Sequence, residues 1–201
     1  MTGVGHVVIA FLTPLAMTQL LCDYDLLGRA DELPAAALLG GATVRRIHDR
    51  LTTAASPGDA VHIVYAELET QMRTRRAPPP AAVRTARTAM RILAQPSDSL
   101  DQVTAYEGVS RRQLVRDFRR YLGLSPKAYS LVARAQSAAA AIAAGLPLSE
   151  VALQAGFSDQ SHLSNALKRV TELTALQIRT RSALESSVAL RSALSGYLVA
   201  V

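Results

Sequence analysis

Apolar positions recur at helical spacing through most of the second half of this chain. In residues 81–94, Val83, Ala86, Met90 and Leu93 fall on one side and Arg84, Arg87 and Arg91 on the other, which predicts an amphipathic helix. Pro96 stops it, and Ser99 or Asp98 can cap a short helix ending before Gly108. Ser110 then caps "RRQLVRDFRRYLG", in which Leu114, Phe118 and Leu122 are spaced by four and Gly123 closes the helix. The run "LSPKAYSLVARAQSAAAAIAAG" opens on a Ser-Pro start signal and ends at Gly145, one Ala-rich helix of about twenty residues. Beyond it the earlier pattern returns. Ser149 caps "EVALQA", Gly156 makes a turn, and Ser158 or Asp159 caps a helix with Leu163 and Leu167 on its apolar side. Gly108-Val109-Ser110 and Gly156-Phe157-Ser158 are counterparts 48 residues apart. Two short helices joined by a tight Gly-containing turn form a helix-turn-helix, and the chain carries that unit twice.

Upstream the pattern is looser. Residues 4–12, "VGHVVIAFL", are β-branched and bounded by Gly and Pro, and predict one strand. Helices are expected at 14–21, 41–53 and 59–75, joined by turns such as "ASPGD". A lone strand makes no stable sheet, so this one is expected to pair with another chain or to lack its usual partners. "APPP", residues 77–80, marks a stiff boundary, because residues before proline leave the helical region. The expected organisation is a helical sensor or dimerisation segment at 1–76, a Pro-rich linker at 77–80, a mainly α-helical domain at 81–181, and a tail at 182–201 that forms a short helix or a frayed end.

The segment "SDQSHLSNALKR" raises the question of chemistry. A helix lying in the major groove of B-DNA must offer short polar side chains to base edges, an apolar back to its own domain, and cations to phosphates. Gln160, Ser161, Ser164 and Asn165 form such a reading face, Leu163 and Leu167 the back, and Lys168 and Arg169 the phosphate contacts. In the first unit Arg112, Val115 and Arg116 share the outward face, and Arg116 suits bidentate contact with guanine. A twenty-residue connecting helix spans about 30 Å, close to the roughly 34 Å between successive major-groove faces on one side of the duplex.

Composition agrees. The 201 residues carry a net charge of +6, nearly all of the positive charge from arginine. Such a balance suits an anionic partner. Cys22 is the only cysteine, so neither an internal disulfide nor a four-cysteine zinc site is available, and its expected role is a small buried apolar side chain. His6, His48 and His62 have no metal-ligand spacing, and His162 is either solvated or at the DNA backbone. Neither a Gly-rich phosphate loop nor a Ser-His-Asp pattern occurs, so no enzyme, cofactor or metal is expected. "HVVIAFLTPLAMTQLL" is interrupted by Pro14 and lacks a charged leader, so neither a signal peptide nor a membrane span is expected, and the protein is assigned to the cytoplasm.

From about residue 81 to 181, through "GVSRRQLVRDFRRYLGLSPKAY" and "LSEVALQAGFSDQSHLSNALKR…LTALQIR", the chain resembles the AraC/XylS family of bacterial transcription regulators. The resemblance implies an all-α, seven-helix domain with two helix-turn-helix units on a long linker helix. It implies base reading by Arg112, Val115 and Arg116 in the first unit and by Gln160, Ser161, Ser164 and Asn165 in the second. Double-stranded DNA is the implied partner. RNA polymerase and a second copy held through residues 14–75 are further candidates, and no small-molecule effector is identified. The sequence departs from the family pattern at Thr104 and Val115, at Leu163 and Leu167 (usually phenylalanine), at Ala135 and Ala141 (usually leucine), at Glu172 (usually glycine) and at Ala175 (usually proline). Less buried area follows, and a weaker second half is expected. The β-barrel that precedes the helical segment in many such regulators has no counterpart in residues 1–76, which predicts an internal start or a shortened regulator. The competing expectation is a shortened interaction partner that modulates a full-length relative without specific DNA binding.

Overall fold

The computed structural model describes residues 8–21, 23, 24, 27 and 34–184. These form the helices α1 (Pro14–Leu20), α2 (Ala35–Leu39), α3 (Gly41–Thr52), α4 (Pro57–Thr74), α5 (Pro80–Ala94), α6 (Leu100–Glu107), α7 (Arg111–Leu122), α8 (Pro126–Ala143), α9 (Leu148–Gln154), α10 (Gln160–Thr171) and α11 (Ala175–Leu184). The seven from α5 onward are the helices expected of the second half. Cys22, His6 and residues 185–201 lie outside the described residues.

The strand expected at 4–12 is not formed by its described part. Residues 8–13 carry no regular structure, and the described residues contain no strand. The physical reason is the one that made a lone strand doubtful: no second strand offers it a ladder, so its apolar side chains settle beside helices instead. Phe11 and Leu12 line hollows against α4 and α5. Thr13 then caps α1, its Oγ1 accepting from the Ala16 N–H at 3.1 Å.

Two cores organise the rest. In the first, Met17, Leu21 and Leu27 join Ala89, Ile92, Val103, Leu114, Phe118 and Leu122. The upstream helix α1 is thus packed into the same core as the first helix-turn-helix. The second core gathers Val151, Phe157, Leu163, Leu167, Val170 and Ile178. Helix α8 serves both, with Tyr129 and Ala133 in the first and Val132, Ala135, Ala138, Ala139 and Ile142 in the second. Its alanines present little bulk, and Leu163 and Leu167 are fully enclosed against it.

Helices α3 and α4 meet through polar groups. Arg46 pairs with the buried Glu67, and Gln71 donates to Thr43 Oγ1 at 3.2 Å. The Arg46 hydrogen bonds hold the Glu67 carboxyl below its ordinary range against the opposing effect of burial. The C-terminal end of α4 is tied to α1 by Gln19 Nε2, which donates to the Met72 carbonyl at 2.9 Å, and by Arg75, which donates to the Leu20 carbonyl. Part of the apolar side of α4 is exposed, Val61 to 55% and Tyr65 to 66%, beside Phe11.

Helices α7 and α10 end differently. Helix α7 closes on Gly123 at φ 73°, where a left-handed backbone costs glycine nothing. Helix α10 closes on Glu172 at φ 59°, the only described non-glycine residue with positive φ. A Cβ in that region costs about 1–2 kcal/mol, part of which glycine loses again through its freer unfolded chain. Glu172→Gly is therefore expected to raise stability by roughly 0.5–1 kcal/mol, read from urea denaturation of the two proteins. Unchanged or lowered stability would contradict this account of the turn.

Candidate nucleic-acid interface

Each unit is built by capping and turn chemistry. Ser99 and Gln102 close a reciprocal capping box on α6: the Gln102 N–H donates to Ser99 Oγ at 3.2 Å, and the Ser99 N–H to Gln102 Oε1 at 2.7 Å. Gly108 turns the chain at φ 63°, and Ser110 Oγ accepts from the Gln113 N–H at 3.1 Å to start α7. In the second unit Gly156 does the same at φ 72°, and a Cβ there would come within 3.2 Å of the Ser97 Cα, so the turn needs glycine for space as well as for φ. The expected Ser149 cap is not used. Pro147 is the N-cap residue of α9, and Ser149 lies inside the helix, because Pro147 already sets the extended conformation that a helix start requires.

Of the two caps expected for α10, Asp159 is the one used. Its Oδ1 accepts from the His162 N–H at 2.8 Å, and its Oδ2 accepts from the Ser158 hydroxyl at 2.9 Å. These two bonds, the backbone one foremost, hold the Asp159 carboxyl below its ordinary range. Ser158 Oγ also meets His162 Nδ1 at 3.1 Å, and the His162 ring stands edge-on to Phe157 at 5.2 Å. His162 is thus engaged at the turn. With a carboxylate at the start of α10, the cations of that helix, Lys168 and Arg169, stand in its last turn, where they also complement the helix dipole.

The structure brings the predicted residues to two exposed faces. Arg112 and Arg116 are exposed on α7, and Val115 between them is half-buried. Gln160, Ser161, Ser164, Asn165, Lys168 and Arg169 are all exposed on α10, opposite the enclosed Leu163 and Leu167. Thr104, a departure from the family pattern, is partly buried and donates its hydroxyl to the Asp101 carbonyl at 3.0 Å, so its polar group is satisfied locally.

Sequence reasoning missed the residues that aim Arg116. Asp117 is buried although it sits among the five arginines of α7. Arg84 of α5 donates to its Oδ2 at 2.9 Å, and Gln113 Nε2 lies 2.7 Å from both its oxygens. Gln113 Oε1 in turn accepts from Arg116 Nη2, and Arg116 Nε lies 3.8 Å from Asp117 Oδ1. One buried carboxylate therefore joins α5 to α7 and restricts the arginine beside it. The readable signal was the Gln113–Asp117 spacing of four. Arg134 of α8 is a second such residue: its Nη1 donates to the Gly156 carbonyl at 3.0 Å, and its guanidinium lies 5.1 Å from the Phe157 ring centroid. It fixes the second turn to the linker helix.

Among the described residues no helix is long and apolar enough to cross a membrane, and no group of three His, Cys, Asp or Glu side chains is placed to hold a metal. Paired capped helices with left-handed glycine turns, polar outer faces and apolar backs define a helix-turn-helix protein. Residues 103–181 match the family described as a helix-turn-helix domain. This segment is a DNA-binding domain of the AraC/XylS type. No curated protein and no solved structure matches the chain.

Proposed function

We propose that the protein is a sequence-specific transcription regulator that reads two adjacent major-groove segments, one with α7 and the other with α10. The observation that carries this reading is the pair of exposed polar faces whose apolar backs are anchored in two cores on one helix, α8. The 18 residues of α8 give it a length of about 27 Å, comparable with the roughly 34 Å between groove segments one turn apart. In this reading Arg112, Val115 and Arg116 face the bases of one half-site. Gln160, Ser161, Ser164 and Asn165 face those of the other, and Lys168 and Arg169 engage the flanking phosphates.

Selection of bound sites from random DNA tests it. The expected result is a two-part motif with its halves about one helical turn apart. Binding to that motif should weaken steeply with salt, each phosphate contact contributing about 0.9 to the log–log slope. A single-part motif, or a flat salt response in filter binding, would overturn the proposal.

A second reading is favoured by the exposed apolar side chains Val61 and Tyr65 beside Phe11. Contiguous apolar surface of this kind marks protein contacts. A second copy, or a full-length relative, would meet the chain through residues 14–75. In the stronger form of this reading the chain acts only as an interaction partner, and gel-shift titration would then show weak binding without sequence preference. RNA polymerase is a further candidate partner of a DNA-bound regulator.

A further inference from the structure

We propose that a contact between the two units, Ser97 of the first against Gly156 of the second, sets the placement of α10 relative to α7 and with it the half-site separation that the protein accepts. Its bearing on half-sites rests on the DNA reading proposed above, whereas the contact itself does not.

This seam lies off the linker helix. A Cβ at Gly156 would come within 3.2 Å of the Ser97 Cα and 3.3 Å of its Cβ. Ser97 belongs to the corner between α5 and α6. Gly108 makes the equivalent turn in the first unit at φ 63°, and a Cβ there would meet open space. The close approach at Gly156 is therefore a contact between units and not a property of the turn. Each side is braced within its own unit. On the first side, Arg91 Nη2 donates to Asp98 Oδ2 at 3.4 Å, the Arg91 guanidinium lies 3.7 Å from the Tyr106 ring centroid, and the Asp98 N–H donates to the Gln95 carbonyl at 3.1 Å. On the second, Arg134 of α8 donates to the Gly156 carbonyl at 3.0 Å.

The second core meets α8 through Ala135, Ala138 and Ala139. Alanines make shallow ridges, which resist sliding and rolling of the packed helices less than long side chains do. A fixed point away from the α8 axis removes that freedom. The tolerance on the DNA side is small: with about 10–10.5 base pairs in each turn of roughly 34–36 Å, one base pair moves a half-site by about 3.4 Å and about 35°.

Gly156→Asn tests the seam. Asparagine tolerates the left-handed backbone, so its main effect is bulk against the Ser97 backbone. Gly145→Asn is the control, because Gly145 also has a positive φ, 91°, but open space at its Cβ position. Spin labels at Arg119→Cys and Lys168→Cys, in a Cys22→Ser background, report the α7–α10 distance in the full chain without DNA. A displaced or broadened distance is expected in Gly156→Asn and the parent distance in Gly145→Asn, with melting curves showing that both fold. Ser97→Trp, at an exposed position, presses on the same point from the other side and should displace the distance likewise. If neither variant displaces it, the seam is overturned. Gel shifts on the selected motif, and on versions with one base pair added or removed between the halves, read the consequence. The protein with its seam intact should bind the altered spacings at least about 5-fold more weakly, the worth of one base contact. In Gly156→Asn that penalty should vanish or pass to a different spacing. An unchanged penalty beside a displaced distance overturns the spacing role. A selected motif without two halves overturns the DNA reading, and the label distance still decides the seam.

Discussion

Replacing Arg116 with alanine is expected to weaken binding to the selected motif by about 5- to 150-fold, the value of one bidentate guanine contact at roughly 1–3 kcal/mol. Arg116 is exposed at the middle of α7, and the Gln113–Asp117–Arg84 chain restricts its position before DNA arrives. Restriction of that kind lowers the ordering cost of the bound state. The first recognition helix also carries Arg112, Arg119 and Arg120, whereas α10 carries only Lys168 and Arg169 at its end. The first unit should therefore supply most of the affinity and the second mainly specificity. A variant with Gln160 and Asn165 both changed to alanine should keep a weaker complex, protected over one major-groove segment and not the next. Lys168→Ala should weaken all sequences alike. Footprinting with the selected motif decides: if the double variant loses all protection while Arg116→Ala keeps its own, the dominant half is α10.

Phe118→Ala is expected to lower stability by about 3–5 kcal/mol, the usual cost of emptying a fully buried phenylalanine site. Phe118 is fully enclosed, packs edge-on against Tyr129, and shares its core with Met17, Ile92 and Val103. The core that Phe118 shares draws side chains from α1, α5, α6, α7 and α8. A domain with a total stability of about 5–15 kcal/mol would lose a large part of it, so DNA binding should fail with the fold rather than with the contact surface. Urea denaturation followed by circular dichroism measures the loss. A change below about 1 kcal/mol would mean that the surrounding helices close over the space.

Glycine turns and oxygen caps made most of this fold readable in advance. Gly108, Gly123 and Gly156 have the left-handed backbone that their positions suggested, and Ser110, Ser125 and Asp159 cap helices as short polar residues before an apolar period do. Helix α2, five residues without a side-chain cap, offered too short a period to detect. The described part of the strand expected at 4–12 forms none, because β-branched residues record only that a segment is extended, while a sheet also needs neighbours. The outward faces of α7 and α10 followed from the leucine spacing. Asp117 did not, since an acidic residue among arginines reads as solvated until α5 is seen to bring Arg84 against it. Such contacts join residues far apart in the chain, and local pattern carries no information about them.

Helix α8 contributes side chains to both cores and is capped at its start by Ser125 Oγ, which accepts from the Ala128 N–H at 3.2 Å. It leaves no slack between the units. A flexible tether would let the two halves search for sites at many separations, and affinity would then decline gradually with distance. A ruler behaves otherwise. Under the proposed reading, half-sites at the wrong separation or on the wrong side of the duplex would gain one unit's contacts only, and the distance between two short base sequences would itself be part of the signal.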